Sequence, residues 1–137
     1  MSEYLKPIPV PSKESRPYWD GLKQHRLMTP RCEDCKHHWF PPSHLCPHCG
    51  SDRSQWAEVS GRGRIYSFVI YHRVYHPGFA DEIPYAVAVI ELEEGPRMIS
   101  NVAGIAPDKL ACDMKVLVSF EDITQDATIP KFRPAPV

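Results

Sequence analysis

The segment between residues 31 and 50, RCEDCKHHWFPPSHLCPHCG, contains four of the chain's five cysteines as two C-x-x-C pairs. Two residues between cysteines allow a tight turn to point both thiolates at one ion, and a second such turn completes a tetrahedral shell of sulfurs. Pro47 and Gly50 favour the second turn, since glycine tolerates a positive φ. A segment this short cannot bury a core of its own, so the bound ion supplies its folding energy.

The spacing therefore predicts a zinc ribbon whose ligands are Cys32, Cys35, Cys46 and Cys49. A closed shell of four ligands leaves no position for water or substrate, which favours a structural ion over a catalytic one. Iron in an all-thiolate site of the rubredoxin kind is the alternative metal. The nearby histidines are expected to be loop residues, and the isolated Cys112 is expected to be a small buried side chain.

Charge and hydropathy argue against two classes of partner. The net charge is −1: residues 1–64 carry ten Lys and Arg against seven Asp and Glu, and residues 65–137 carry six against ten. Neither balance supplies the phosphate contacts that nucleic acid requires, and no apolar run is long enough to span a bilayer. C-x-x-C pairs without a secretory signal indicate a reducing compartment, so we expect a cytoplasmic protein.

The pattern of apolar residues predicts a mainly β fold in three parts. Residues 1–27 are expected to form a Pro-rich arm and a short amphipathic helix, with Ser15 as N-cap, Pro17 in the first turn and Leu27 near the apolar face. Residues 28–55 are the zinc ribbon. Residues 56–137 are predicted to form a five-stranded barrel of the OB type, with a half-sandwich as the alternative.

Five runs rich in Val, Ile, Tyr and Phe carry the barrel prediction. Glu94-Gly95 predicts a tight hairpin between the second and third runs, and one helical turn is expected to start at Pro107. The predicted strands are residues 64–75, 85–92, 96–103, 115–120 and 128–132.

Several short motifs lie along residues 15–134. They are Phe40-Pro41-Pro42, Trp56 through Gly63, Tyr66-Ser67-Phe68, His72, His76 through Phe79, Pro84-Tyr85, Glu94 through Arg97, Phe120 and Pro130 through Pro134. Together with the cysteine pairs, these motifs resemble those of a known family of OB-fold proteins with a rubredoxin-like zinc ribbon, long catalogued as a domain of unknown function. One departure is Asp113, where the family commonly has glycine before the methionine; aspartate tolerates turns, so little consequence is expected.

The resemblance implies a non-catalytic accessory subunit in acyl-CoA metabolism. Family members are similar to small partner subunits of thiolases, of lipid-transfer-protein-like aldolases, and of MaoC-type enoyl-CoA hydratases, which are the alternative partner. The implied assembly is a heterotetramer that takes a CoA thioester at an entrance the small subunit helps to form. The partner would carry the catalytic residues; the chain itself shows no Ser-His-Asp order and no phosphate-cradling glycine loop.

Two sets of contact residues are expected on this hypothesis. Cations beside aromatic or apolar platforms suit CoA, and exposed aromatics and prolines suit a protein partner. The CoA candidates are Arg62, Arg64, Arg73, His76, Phe79, Lys131, Phe132 and Arg133. The partner candidates are Tyr18, Trp19, His38, Trp39, Phe40, Pro41 and Pro42.

Two other classes of function stay open at this stage. A nucleic-acid-binding module is one, because zinc ribbons and OB folds both serve there, but it requires a basic face with stacking aromatics. A self-sufficient acyl-CoA hydrolase or a redox protein using the metal is the other.

Overall fold

The computed structural model describes residues 4–136, and within that range the chain forms one α-helix and seven strands in two antiparallel sheets. Residues 1–3 of the predicted arm and Val137 lie outside the described residues. The helix is α1 (Arg16–Lys23). The strands are β1 (Met28–Cys32), β2 (Ser54–Glu58), β3 (Arg62–Tyr71), β4 (Tyr85–Leu92), β5 (Arg97–Asn101), β6 (Lys115–Asp122) and β7 (Thr128–Pro134).

The C-terminal sheet is a nearly closed barrel with the strand order β5-β4-β3-β6-β7. The two edge strands approach each other where Val102 forms a parallel bridge to Phe132, and the N–H of Ala103 donates to the carbonyl of Phe132 at 2.7 Å. This order and closure are those of a five-stranded OB barrel. The predicted mainly β fold is thereby confirmed, and the half-sandwich alternative is set aside.

The strands lie close to where the sequence predicts them. β4 spans the predicted residues, and Gly95 makes the expected turn between β4 and β5 with φ +113. A 3-10 turn at Pro107–Lys109 takes the place of the expected helical turn. β3 ends at Tyr71 rather than Tyr75, because the chain then enters a loop containing a second 3-10 turn, Pro77–Phe79.

The barrel core follows from strict alternation in β4. Ala86, Ala88, Ile90 and Leu92 are buried, while the residues between them are half-buried on the outer side. Alternate side chains of a strand lie on opposite faces of the sheet, so one face of β4 lines the core. Fully buried side chains from other elements complete it: Leu22, Ile65, Val116 and Phe132.

Helix α1 packs Tyr18 and Leu22 against the barrel, as its pattern predicts. The helix ends at Lys23, since His25 takes a left-handed conformation with φ 59. Leu27 is buried but lies after the helix, where its carbonyl accepts from the N–H of Val59. The prediction that Leu27 belongs to the helical face is therefore wrong: its burial comes from the strand that follows.

β1 and β2 pair from Met28↔Glu58 to Cys32↔Ser54, so the ribbon's two ends join in one small sheet. The predicted boundary between residues 55 and 56 falls inside β2 and stays a prediction. No helix among residues 4–136 has the length and apolar character needed to cross a bilayer.

A hydrogen-bonded group joins the end of the helix to the barrel. The hydroxyl of Thr128 donates to Asp122 at 2.5 Å, and His25 Nε2 lies 3.1 Å from the same carboxylate. Thr128 and His25 together hold the pKa of Asp122 below its ordinary value. A lowered pKa means that the ionised carboxylate is favoured in the folded protein.

We therefore expect Asp122→Asn to lower the free energy of unfolding at neutral pH and not at strongly acid pH. The contribution of Asp122 is fully present above the unfolded-state pKa, about 4, and is lost as the pH falls through the lower folded value. Denaturant titrations of both proteins between pH 2 and 7 measure this difference. Thr128→Ser, which keeps the hydroxyl, is the matched control; a constant difference at every pH would contradict the assignment.

Candidate functional site

Two equivalent turns hold the cysteine pairs. In the first, the N–H of Lys36 donates to the carbonyl of Cys32 at 3.0 Å; in the second, the N–H of Gly50 donates to Cys46 at 2.8 Å. Lys36 and Gly50 occupy the same place in their turns and share a left-handed conformation, with φ 67 and +79. Glycine adopts this conformation without strain, which is why the sequence signals the second turn more clearly.

The four cysteine sulfurs converge on one point. Cys32 Sγ lies 3.5 Å from Cys49 Sγ, Cys35 Sγ lies 3.6 Å from Cys46 Sγ, and all four lie within 4.8 Å of one another. A tetrahedron of sulfurs about 2.3 Å from a zinc ion has edges of roughly 3.8 Å. The donor set and its spacing therefore fit a four-coordinate thiolate-bound metal, in a zinc-ribbon fold.

Local electrostatics explain why the four cysteine sulfurs favour binding of a cation. The backbone N–H of Cys35 lies 3.4 Å from Cys32 Sγ and lowers the pKa of that thiol, whereas burial raises the pKa of Cys35. Four thiolates at these distances repel one another unless a positive ion lies between them. Because protein ligands fill all four coordination positions, a bound ion would stabilise the fold and would have no position left for a substrate.

Contacts around the sulfurs join the two turns. Asp34, in the first turn, accepts from the hydroxyl of Ser51 at 2.5 Å and from Arg53 Nη1 at 3.1 Å. Trp39 packs against Cys32 and Cys46 with only 4% of its surface exposed, and its Nε1–H donates to Ser43 at 3.0 Å. Trp39, packed against these two cysteines, therefore forms the centre of the ribbon's small hydrophobic core.

The predicted partner residues divide into buried and accessible groups. Tyr18 and Trp39 are 5% and 4% exposed, so neither presents its side chain to a partner. The ring of Phe40 lies 5.1 Å from that of Tyr18 and connects the ribbon to the helix and core. Pro41 is exposed, and the remaining members of the set, Trp19, His38 and Pro42, are half-buried.

The predicted CoA residues do not form one groove. Arg62 and Arg64 begin β3, whereas Arg73 follows its other end, roughly 30 Å away along a ten-residue strand. Phe132 is fully buried in the core and leaves the set of accessible candidates. Arg133 is exposed on β7.

Three of these residues do lie near one another, beside a cavity of about 240 Å³ at one end of the barrel. Phe79 and Lys131 line it, and His76 contacts Phe79 with ring centroids 6.1 Å apart. His76 Nδ1 accepts from the N–H of Gly78, which fixes the turn. Lys6, from the N-terminal arm, also lines the cavity, pairs with Glu82 at 2.7 Å and was missed by the sequence reasoning.

Two expectations about the turn before β6 have different outcomes. Cys112 is exposed, so the prediction of a buried side chain is wrong; it lies in the turn just before β6. Asp113 adopts a left-handed conformation with φ 70 and pairs with Arg64, which agrees with the expectation that aspartate replaces glycine here at little cost.

Two family models match adjacent parts of the chain. Residues 19–54 match "ChsH2, rubredoxin-like zinc ribbon domain", and residues 56–121 match "ChsH2, C-terminal OB-fold domain". A chain of the solved structure "Ltp2-ChsH2(DUF35) aldolase" superposes with a TM-score of 0.84 at 40% identity, covering 93% of this chain and 99% of that one.

Among three relatives of this chain, two carry names that refer to CoA thioesters and one is named as a scaffold protein. A "Probable enoyl-CoA hydratase alpha subunit" of Thermomonospora curvata is 40% identical over 96% of this chain, which spans only 40% of that protein. A "DUF35 domain-containing scaffold protein" of Methanocaldococcus jannaschii is 32% identical, with 79% of this chain and 77% of that protein covered. "Benzoylsuccinyl-CoA thiolase subunit BbsA" of Thauera aromatica is 28% identical, with 80% and 67% covered.

Proposed function

Since this chain belongs to the family of DUF35 domain-containing scaffold proteins, we propose that it is a non-catalytic partner subunit of a thiolase-like enzyme. The observation that carries the proposal is its likeness, at 40% identity, to nearly all of one chain of the Ltp2-ChsH2 aldolase. The metal centre supports it, because a closed shell of four thiolates stabilises a fold and offers no position for chemistry.

The ligand of the complex is proposed to be a CoA thioester. The names of the Thauera thiolase subunit and the Thermomonospora hydratase subunit support this class of substrate. If this chain contacts CoA, the candidates that lie near one another are His76, Phe79 and Lys131, beside the cavity at the barrel's end. We further propose that the complex is a heterotetramer and that the ribbon holds zinc. Its proposed location is the cytoplasm, because reduced cysteines in this pattern suit that compartment.

A second candidate is a partner subunit of an enoyl-CoA hydratase. The Thermomonospora relative favours it by name, although this chain spans only 40% of that protein. The hydratase activity belongs to the whole relative, so its chemistry is not assigned to this chain. The two candidates predict different binding partners, a thiolase-fold subunit in the first and a hydratase-fold subunit in the second.

Co-expression with the thiolase-fold subunits of the source genome tests the proposal. We expect one of them to co-purify with this chain in a fixed ratio and to elute as one species by size exclusion with light scattering. Thioester turnover is then measured for each chain alone and for the complex, with activity expected in the complex and absent from this chain alone. Recovery of this chain as a free monomer beside every thiolase-fold subunit would overturn the proposal, and turnover by the pure chain would favour an independent enzyme.

A further inference from the structure

The outer face of the barrel carries a row of apolar side chains. Val87 and Val89 lie on the side of β4 opposite its buried alanines, and neither belongs to the hydrophobic core. In the register of the sheet, Val69 of β3 is opposite Val87, and Ile99 of β5 is opposite Val89. Opposed residues of antiparallel strands point to the same side, so these four side chains form one continuous outer face.

The most prominent members of this face are well exposed: Ile99 is 72% and Val69 is 54% accessible. Ile99 is also on the edge strand β5, where an exposed apolar side chain invites association. We call Val69, Val87, Val89 and Ile99 the outer valine face.

An arginine-tyrosine group borders one end of the outer valine face. Glu91 is opposite both Arg64 and Arg97 in the sheet and pairs with them at 2.9 and 3.0 Å. The β-bulge between Ile65 and Ser67 leaves Tyr66 as the extra residue, and the guanidinium of Arg97 lies 3.8 Å from its ring centroid. Bulges commonly re-aim a side chain in this way.

Arg97 retains hydrogen-bonding capacity. Its Nε donates to Glu91, while its terminal nitrogens make no hydrogen bond to any of the residues 4–136. The two terminal nitrogens of a guanidinium form a fork that matches a carboxylate. Tyrosine and arginine beside an apolar centre are the residue types that dominate binding at protein interfaces.

A groove joins the outer valine face to the zinc ribbon. Phe40 and Pro41 of the ribbon form one wall, and Val89, Met98 and Ile99 of the barrel form the other, around a volume of about 430 Å³. The groove thus exists only when the ribbon is held against the barrel. Its lining is almost entirely apolar except for Arg97, so it suits an inserted apolar side chain with an acid nearby.

The area of the face indicates its place in an interface. Three strands about 4.8 Å apart and three residues long cover roughly 150 Å². Each partner of a standard interface buries about 800 Å², so the face fits the centre of a protein interface rather than the whole of it.

We propose that the outer valine face and its groove are the docking centre for the catalytic subunit, which inserts apolar side chains and places a carboxylate on Arg97. This inference rests on the proposed function and names the surface through which the complex forms. The docking centre then lies on the barrel and not on the ribbon turns that hold the metal. Trp39, next to those turns, is buried in the ribbon itself and does not offer its side chain to a partner. The ribbon contributes Phe40 and Pro41 as one wall.

A nucleic acid is a poorer occupant of this face. OB barrels do bind oligonucleotides across these strands, but such binding requires cations along the strand and stacking aromatics. Here Arg64 and Arg97 both pair with Glu91, and the centre of the face is aliphatic.

Ile99→Asp tests the inference with the catalytic subunit that co-purifies with the wild-type chain. We expect the dissociation constant, measured by surface plasmon resonance, to rise at least about 30-fold, as at an interface hot spot. Ile99→Thr keeps a β-branched residue in the strand and is expected to give a smaller loss of the same sign. Circular dichroism and bound metal should be unchanged in both variants, which separates loss of docking from loss of folding.

Leu45→Asp in the ribbon and Val10→Asp in the arm are the matched controls, since both residues are exposed apolar side chains that do not line the groove. Each is expected to change the dissociation constant less than about 2-fold. Wild-type affinity in Ile99→Asp would overturn the inference while leaving the proposed function intact. So would a larger loss in Leu45→Asp, which would place docking on the ribbon. An effect of Ile99→Asp confined to self-association of this chain would assign the face to a second copy and would also overturn it.

Discussion

Replacing Cys46 with serine is expected to release the metal and unfold the ribbon. Cys46 is 2% exposed, and its sulfur lies 3.6 Å from that of Cys35. Binding of structural zinc to a site of this kind supplies about 10–16 kcal/mol, which is comparable with the whole stability of a domain. Atomic absorption should find less than about 0.1 ion per chain in Cys46→Ser, against one in the wild-type protein.

Loss of the ribbon should also abolish the complex with the catalytic subunit. Without the ion, the turns around Cys32 and Cys46 no longer hold Phe40 and Pro41 against the barrel, so one wall of the groove is lost. The barrel itself should remain, because its core is formed by other residues. Its near-ultraviolet spectrum and thermal transition are the measurements that show this.

Cys112→Ser is the matched control. Cys112 carries the same chemical change, lies outside the four-sulfur cluster and is exposed. We expect wild-type metal content and wild-type affinity for the partner. Retention of the complex by metal-free Cys46→Ser would contradict a structural role for the ion in assembly.

Phe132→Ala is expected to lower the free energy of unfolding by about 3–5 kcal/mol. Phe132 is fully buried and lies where β7 meets the residue following β5, at the closure of the barrel. Removing its ring leaves a cavity where the barrel is closed by an isolated bridge between Val102 and Phe132. Chemical denaturation followed by tryptophan fluorescence measures the loss.

Phe79→Ala provides the comparison for Phe132. Phe79 is half-buried and stacks on Tyr85 with ring centroids 5.2 Å apart, in the loop beside the barrel's end. Its loss should cost less than half as much stability. Equal destabilisation by the two variants would show that Phe132 does not occupy the core as described.

The features that depend on local sequence were predictable. Two residues between cysteines, Gly50 after the second pair and Glu94-Gly95 between strands each specify a turn by themselves, and the structure contains all of these turns. β4 was predicted to the residue because a run rich in Val, Ile and Tyr is bounded by turn residues, Pro84 before it and Glu94-Gly95 after it. These are patterns whose period or spacing fixes the backbone.

The features that depend on distant contacts were not predictable from the sequence. Phe132 lies between Lys131 and Arg133, so the sequence suggested an exposed aromatic ring that could contact CoA. Its burial follows from the closure of the barrel at Val102. Trp39 had the composition of a partner contact, and its burial follows from the sulfurs it covers. Val69 faces outward because of the bulge between Ile65 and Ser67, which the run of strand-forming residues around it does not reveal.

The outer valine face could not be predicted from the sequence, for a related reason. Val87 and Val89 are apolar at every other position of β4, just as the core residues are, so composition does not tell which face of the strand is buried. Only the register with β3 and β5 shows that the two sides differ. A strand with apolar residues on both faces has the pattern of one buried on both sides, so Val87 and Val89 would have been placed in the core.

Native mass spectrometry of the chain co-purified with a thiolase-fold subunit tests the central claim most directly. It reports, for one particle, which chains are present, in what ratio, and how many metal ions this chain carries. We predict a single species containing both chains, with one metal ion for each copy of this 15.6 kDa chain. Detection of this chain only as a metal-loaded monomer beside the free subunit would contradict the account.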